Sequence, residues 1–183
     1  MRKLLLPFLF FVAACSSKQP DKKTENTDYI ISMDGIEDIK LEMSQADVEK
    51  VIGKNIPLTN LTDTVSGSWQ DSARINYKGL DLQLQFQRNY SSSAIFYMQL
   101  TGIKTSSPRC KTKAGVGIGS EKLKTIAAYE DSSLRLQPDI YETPALKSTI
   151  TVYNYHDTRF IVFYLENKKV IAMETGIHFR DSE

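Results

Sequence analysis

The chain predicts an α+β protein of two tandem units, each a short helix followed by an antiparallel sheet of about four strands. Three observations predict it. Serine-led helix starts occur twice, at Ser44 and at Ser120. Each is followed by stretches that alternate apolar and polar residues, the period of a half-buried strand. The two halves also echo one another: Ile75-Asn76-Tyr77 in Tyr153-Asn154-Tyr155, and Thr101-Gly102-Ile103 in Thr175-Gly176-Ile177. Met43 to Met98 spans the same number of positions as Ile118 to Met173. The units are expected over 35–105 and 110–180, joined near Pro108.

Taken in order, Tyr29–Leu41 alternates loosely and suggests a short extended segment near Ile36–Leu41. Ser44 can accept from the free N–H groups of a first helical turn, and Asp47 sits at the capping-box position. Val48, Val51 and Ile52 form one apolar stripe, Gly53 suits the left-handed residue after a helix, and Pro57 prevents continuation. Thr64–Gln70, with Val65 and Trp69, and Ala73–Tyr77 are strand candidates. A turn at Lys78-Gly79 leads into Leu80–Gln87, whose strict alternation puts Leu80, Leu82, Leu84 and Phe86 toward a core. Asn89–Ser93 is a turn. Ala94–Thr101 is the next strand, and Gly102–Pro108 is expected to break it.

In the second half, Gly115–Ser120 leads into a helix with Ser120 as its cap and Leu123, Ile126 and Ala127 as its stripe. Strands are expected at Leu134–Leu136, Thr149–Tyr155, Arg159–Leu165 and Val170–Thr175, with turns at His156-Asp157-Thr158 and Asn167-Lys168. Phe160–Leu165 is apolar on both faces, so its second face is covered either by its own chain or by a partner.

The first residues carry a different signal. Arg2 and Lys3 precede the apolar run Leu4–Ala14, about half the ~20 residues of a membrane-spanning helix, and small residues stand directly before Cys15. Val12-Ala13-Ala14-Cys15 resembles the lipobox of bacterial lipoproteins. That resemblance implies a signal peptide over 1–14, cleavage before Cys15, and acylation of Cys15 on sulfur and amine. The other reading is an ordinary secreted protein. Residues 15–34 would then be the lipidated cysteine and a flexible tether: Ser16–Asp28 is polar, and thirteen such residues span on the order of 20 Å as a coil. The neutral Ser16 after the cysteine favours the outer membrane, facing the periplasm, by the retention pattern of enteric lipoproteins.

Loss of Arg2 and Lys3 takes the formal charge from +1 to −1, a balance that gives no reason to expect nucleic acid as a partner. A hydrophobic content of 41% is enough for an ordinary core. Cys110 is left as the one unmodified cysteine, expected to be buried and inert rather than reactive.

Ile39–Gly53 resembles the helix start of the small outer-membrane assembly lipoproteins (SmpA/OmlA), where a short strand leads to a Met, a Ser or Thr cap and an apolar helix ending in Gly. Here Glu42 stands where that family has Gly. The doubling of such a unit resembles the β-lactamase-inhibitor-protein fold, although neither half shows a clear second helix. The resemblance implies a scaffold for protein binding and carries over no inhibitory residue.

No catalytic constellation emerges. His156 and Asp157 are adjacent turn residues that point apart, and His178 lies near the end of the chain. No His or Cys spacing suggests a metal, and no cofactor is expected. Gly115-x-Gly117-x-Gly119-Ser120 has the look of a phosphate cradle but lacks the Walker lysine, and a turn explains its glycines equally well. The chain is therefore read as non-enzymatic. The candidate binding residues are the outward side chains Gln83, Gln85, Gln87, Tyr97 and Gln99, with Trp69, Tyr153 and Tyr155 as possible aromatic anchors. The expected function is a lipid-anchored binding or assembly module for another envelope protein. The alternatives are an inhibitor or immunity-type protein blocking an envelope or incoming enzyme through the same face, and, from another class, a hydrolase or small-ligand carrier, which would need a deep pocket with a convergent polar cluster. A homodimer mate is the other candidate partner, at the strand Phe160–Leu165 that is apolar on both faces.

Overall fold

The computed structural model describes residues 28–58, 70–90, 96–138, 147–153 and 158–178. Residues 64–69 of the strand candidate Thr64–Gln70, His156 and Asp157 of the turn that ends at Thr158, the aromatic candidate Tyr155, and Cys15 with its flanking segments lie outside these residues.

Three short strands open the chain: β1 (Tyr29–Ser32), β2 (Gly35–Ile36) and β3 (Ile39–Lys40). Helix α1 (Gln45–Ile52) follows, then β4 (Gln70–Tyr77), β5 (Leu80–Tyr90), β6 (Phe96–Thr105) and β7 (Cys110–Thr112). Helix α2 (Lys122–Ala127) precedes β8 (Ser133–Pro138), β9 (Lys147–Tyr153), β10 (Arg159–Glu166) and β11 (Lys169–Ile177).

This order corrects the expected fold class. The described chain is mainly β, with two short helices, and the strands of both halves merge into one seven-stranded antiparallel sheet of order β4-β5-β6-β11-β10-β9-β8. A second, four-stranded sheet has the order β3-β2-β1-β7, with β1 parallel to β7. The physical cause lies at Gly102, which continues β6 instead of ending it. Gly102 stands directly opposite Gly176, so β6 and β11 run together over four residue pairs. Two separate sheets would each have left a strand edge of unpaired N–H and C=O groups there, and the merger removes both.

The helices are small for physical reasons. In α1 the Ser44 hydroxyl oxygen accepts from the Asp47 N–H at 3.2 Å, and Gly53 adopts the left-handed conformation with its N–H on the Glu49 carbonyl. The Asp47 carboxylate accepts from the Ser44 hydroxyl at 2.7 Å instead of reaching back to its N–H. In α2 the expected cap is displaced, and of the expected stripe Ile126 packs against the core while Leu123 and Ala127 face outward. Glu121 occupies the cap position without a side-chain bond, the first helical N–H, of Lys122, donates to the Lys168 carbonyl, and Ser120 serves the preceding loop. Thr125 is the buried residue, while Leu123 is 77% exposed.

Turn chemistry sets the hairpins. Lys78-Gly79 and Asn167-Lys168 each have positive φ at both central residues, as two-residue hairpins require. Gly35 has φ 141°, and a Cβ there would lie 2.1 Å from the Ile39 carbonyl oxygen, so only glycine lets β2 and β3 double back.

One face of the large sheet makes the core. Leu80, Leu82, Leu84 and Phe86 of β5 are buried with Ile75, Ile103, Met173, Phe163 and Ile150. Each such side chain contributes about 1.5–3 kcal/mol by leaving water. The small sheet and α1 cover this face through Ile31, Ile36, Ile39 and Val48. Ion pairs and hydrogen bonds moor the cover. Asp38 accepts from Tyr77 and Lys78, both at 3.0 Å, while Arg159 reaches Asp34 at 2.5 Å and Glu42 at 2.7 Å.

Cys110 is wholly buried in this core, and burial pushes its thiol up to about 12. With Cys15 replaced by Ser so that Cys110 is the one thiol, the folded protein is expected to resist an aromatic disulfide reagent at about pH 8 and to react at once in guanidinium. Rapid labelling without denaturant would show that β7 opens on its own.

Candidate protein-binding face

The opposite face of the large sheet carries all five side chains singled out in the sequence. Alternation along β5 puts Gln83, Gln85 and Gln87 there. On β6 the same face would be lost beyond Gly102 but for a bulge. Gln85 pairs with Gly102 and Phe86 with Leu100, leaving Thr101 as the extra residue. The bulge shifts the alternation by one, so that Gln99 and Tyr97 join the glutamines while Met98 and Leu100 are buried.

The five are not equally available. Gln85 donates to Glu174 at 3.4 Å. Gln99 accepts from Asn89 at 2.7 Å and donates to the Glu42 carbonyl at 3.2 Å, holding the start of α1 against β6. Gln83, Gln87 and Tyr97 make no side-chain hydrogen bond to a described residue and stand half-buried on the surface.

The second half of this face was missed in the sequence. The register that sets Gly102 opposite Gly176 also sets Lys104 opposite Glu174. Glu174 is only 8% exposed. Its carboxylate accepts from the Tyr164 hydroxyl at 2.6 Å and from Gln85, and the Lys104 ammonium lies 3.9 Å away. Lys104 also sits 3.6 Å from the centroid of the Tyr164 ring. Gln85 and Lys104 come from the first half of the chain, Tyr164 and Glu174 from the second. The cluster stitches the seam between β6 and β11. Burial, then the bond to Glu174, raise the Tyr164 phenol above its ordinary value.

Beside this stitch the face turns aromatic. The Phe160 ring lies across Gly176, where a Cβ would come within 2.7 Å of it. Tyr153 and His178 complete a cluster: His178 stacks on Tyr153 with centroids 5.8 Å apart and stands 4.6 Å from Phe160. The strand apolar on both faces is thus resolved: Ile161, Phe163 and Leu165 enter the core, while Phe160, Val162 and Tyr164 stay half-buried on this face. Two concavities flank Gln83. One, of about 510 Å³, is lined by Arg74, Asn76, Asp81, Lys104 and Ala172 among others. The other, of about 330 Å³, is lined by Gln70, Asp71, Ser72, Gln85 and Thr101.

The glycine loop has no N–H to offer a phosphate at the positions that matter. Gly115 donates to the Thr112 carbonyl, Val116 to the Thr112 hydroxyl, Gly117 to the Ser120 hydroxyl, Gly119 to the Val170 carbonyl and Ser120 to the Gly117 carbonyl. The loop is a turn that pairs α2 with β11.

Two substitutions test the seam. Tyr164→Phe is expected to cost about 1–2 kcal/mol in urea unfolding. In the wild type the unfolded tyrosine ionises near pH 10 while the folded one stays protonated, so stability falls as pH rises above about 10. Tyr164→Phe should lose less over that range, and an unchanged alkaline slope would show that the phenol is not held this way. Gly176→Ala should destabilise by about 1–3 kcal/mol, with partial recovery when Phe160 is shortened to Leu. Comparison with protein-family models, with curated proteins and with solved structures finds no match for this chain.

Proposed function

We propose that the chain is a non-enzymatic binding or assembly module of the bacterial envelope, held by a lipid on Cys15 at the periplasmic side of the outer membrane. It engages another envelope protein through the polar, aromatic-edged face of its large sheet. The observation that carries this reading is the asymmetry of that sheet. Among the described residues, the small sheet and α1 cover one face, while the other presents Gln83, Gln87 and Tyr97 with their polar groups uncommitted. Interfaces are enriched in tyrosine, and the neighbouring amides can donate and accept hydrogen bonds around Tyr97. The tether expected over 15–34 would let the face meet a partner some distance from the lipid surface.

The test is a crosslinking pull-down from membranes with the native protein, a Cys15→Ser variant and a triple variant, Gln83→Ala with Gln87→Ala and Tyr97→Ala. One stoichiometric envelope partner is expected with the native protein, and its loss with the triple variant. Recovery of the same protein set with the triple variant would overturn the role of this face. Cys15→Ser should move from the membrane to the soluble fraction, and unchanged fractionation would overturn the anchor.

A further inference from the structure

The larger concavity on the open face has a composition that points to a class of ligand. Neighbouring strands each give it a side-chain pair two residues apart: Arg74 and Asn76 from β4, Asp81 and Gln83 from β5. Lys104 of β6 closes the row, and Ala172 of β11 leaves room at the floor. Arg74, Gln83 and Lys104 are directly opposite one another in the register, so the two cations stand two strand spacings apart, about 10 Å at the backbone. The charges are unevenly committed. Asp81 accepts from the Asn76 amide at 2.9 Å, and Lys104 leans toward Glu174 across the Tyr164 ring. Arg74 is exposed and has no acidic partner among the described residues. A guanidinium fork of this kind matches a carboxylate with two parallel hydrogen bonds.

We infer that this groove receives a carboxylate-bearing segment of an extended peptide, with Arg74 as the recognising cation and the Gln83 amide available to the peptide backbone. Its volume lies within the range of ligand sites, roughly 300–1,000 Å³. The Asp81 carboxylate in the same wall disfavours a dianionic phosphate and leaves a singly charged carboxylate as the better match. The inference rests on the protein-binding role of this face and names the chemistry of what the partner presents.

Fluorescence anisotropy with two labelled, end-blocked peptides tests it: one of alternating Glu and Gly, the other its Gln counterpart. The acidic peptide is expected to bind at least about tenfold more tightly. Arg74→Glu should abolish that preference, while Lys113→Glu, the same charge change on the exposed turn after β7, should leave it in place. Equal binding of the two peptides, or equal loss in both variants, would overturn the groove. Competition by inorganic phosphate as strong as by glutarate would overturn the carboxylate assignment. Gln87 and Tyr97 do not line the groove, so a pull-down with only these two changed reads the protein-binding role separately. Partner loss there, with no peptide preference, overturns the groove alone.

Discussion

Everything in this fold hangs on the four residue pairs that join β6 to β11. The β5–β6 and β10–β11 ladders run about twice as far, so each half of the large sheet holds itself together well. What makes them one sheet is a short seam with Gly102 and Gly176 at one end and Met173 and Thr105 at the other. Burying the Glu174 carboxylate there is costly unless its lone pairs are met. Tyr164, Gln85 and Lys104 meet them from both sides. Losing one partner leaves a poorly compensated buried charge at the narrowest point of the structure.

The small sheet answers a second requirement. A seven-stranded sheet with two short helices cannot cover its apolar face with helices alone. Ile31, Ile36 and Ile39 do much of that work from strands of two to four residues, which are stable only because the core takes their side chains. The exposed ion pairs at Asp38 and Asp34 contribute little energy and chiefly set where the cover lies.

Local features were legible in the sequence. The alternation of β5, the Ser44 cap, the Gly53 stop and both two-residue turns each follow from a physical rule that acts within a few residues. So did the outward placement of Gln83 to Gln99, although the bulge at Thr101 that keeps Tyr97 and Gln99 on that face was not foreseen. What failed depends on distant pairing. Thr101-Gly102-Ile103 and Thr175-Gly176-Ile177 read locally as an echo, and Gly102 as a breaker, because nothing local shows that the two glycines face each other. The parallel match of β1 with β7 left no trace, since three residues carry no period. Ser120 misled because the helix N–H it was expected to cap is met by the carbonyl of Lys168, supplied by the β10–β11 turn.

The parallel pairing of β1 with β7 has a mechanical consequence. A pull on the chain ahead of β1 would meet Asp28, paired with Lys111 at 2.7 Å, and then Tyr29, the first residue of β1. It is clamped there: its N–H donates to the Arg109 carbonyl at 2.8 Å, its hydroxyl to the Lys78 carbonyl, and Arg109 lies over its ring. Tension along β1 loads the ladders to β2 and β7 in shear, so their bonds must yield together instead of opening one by one. With two residue pairs to β2 and three to β7, β1 would shear away with the small sheet before such a pull reached the nine-pair β5–β6 ladder of the large one.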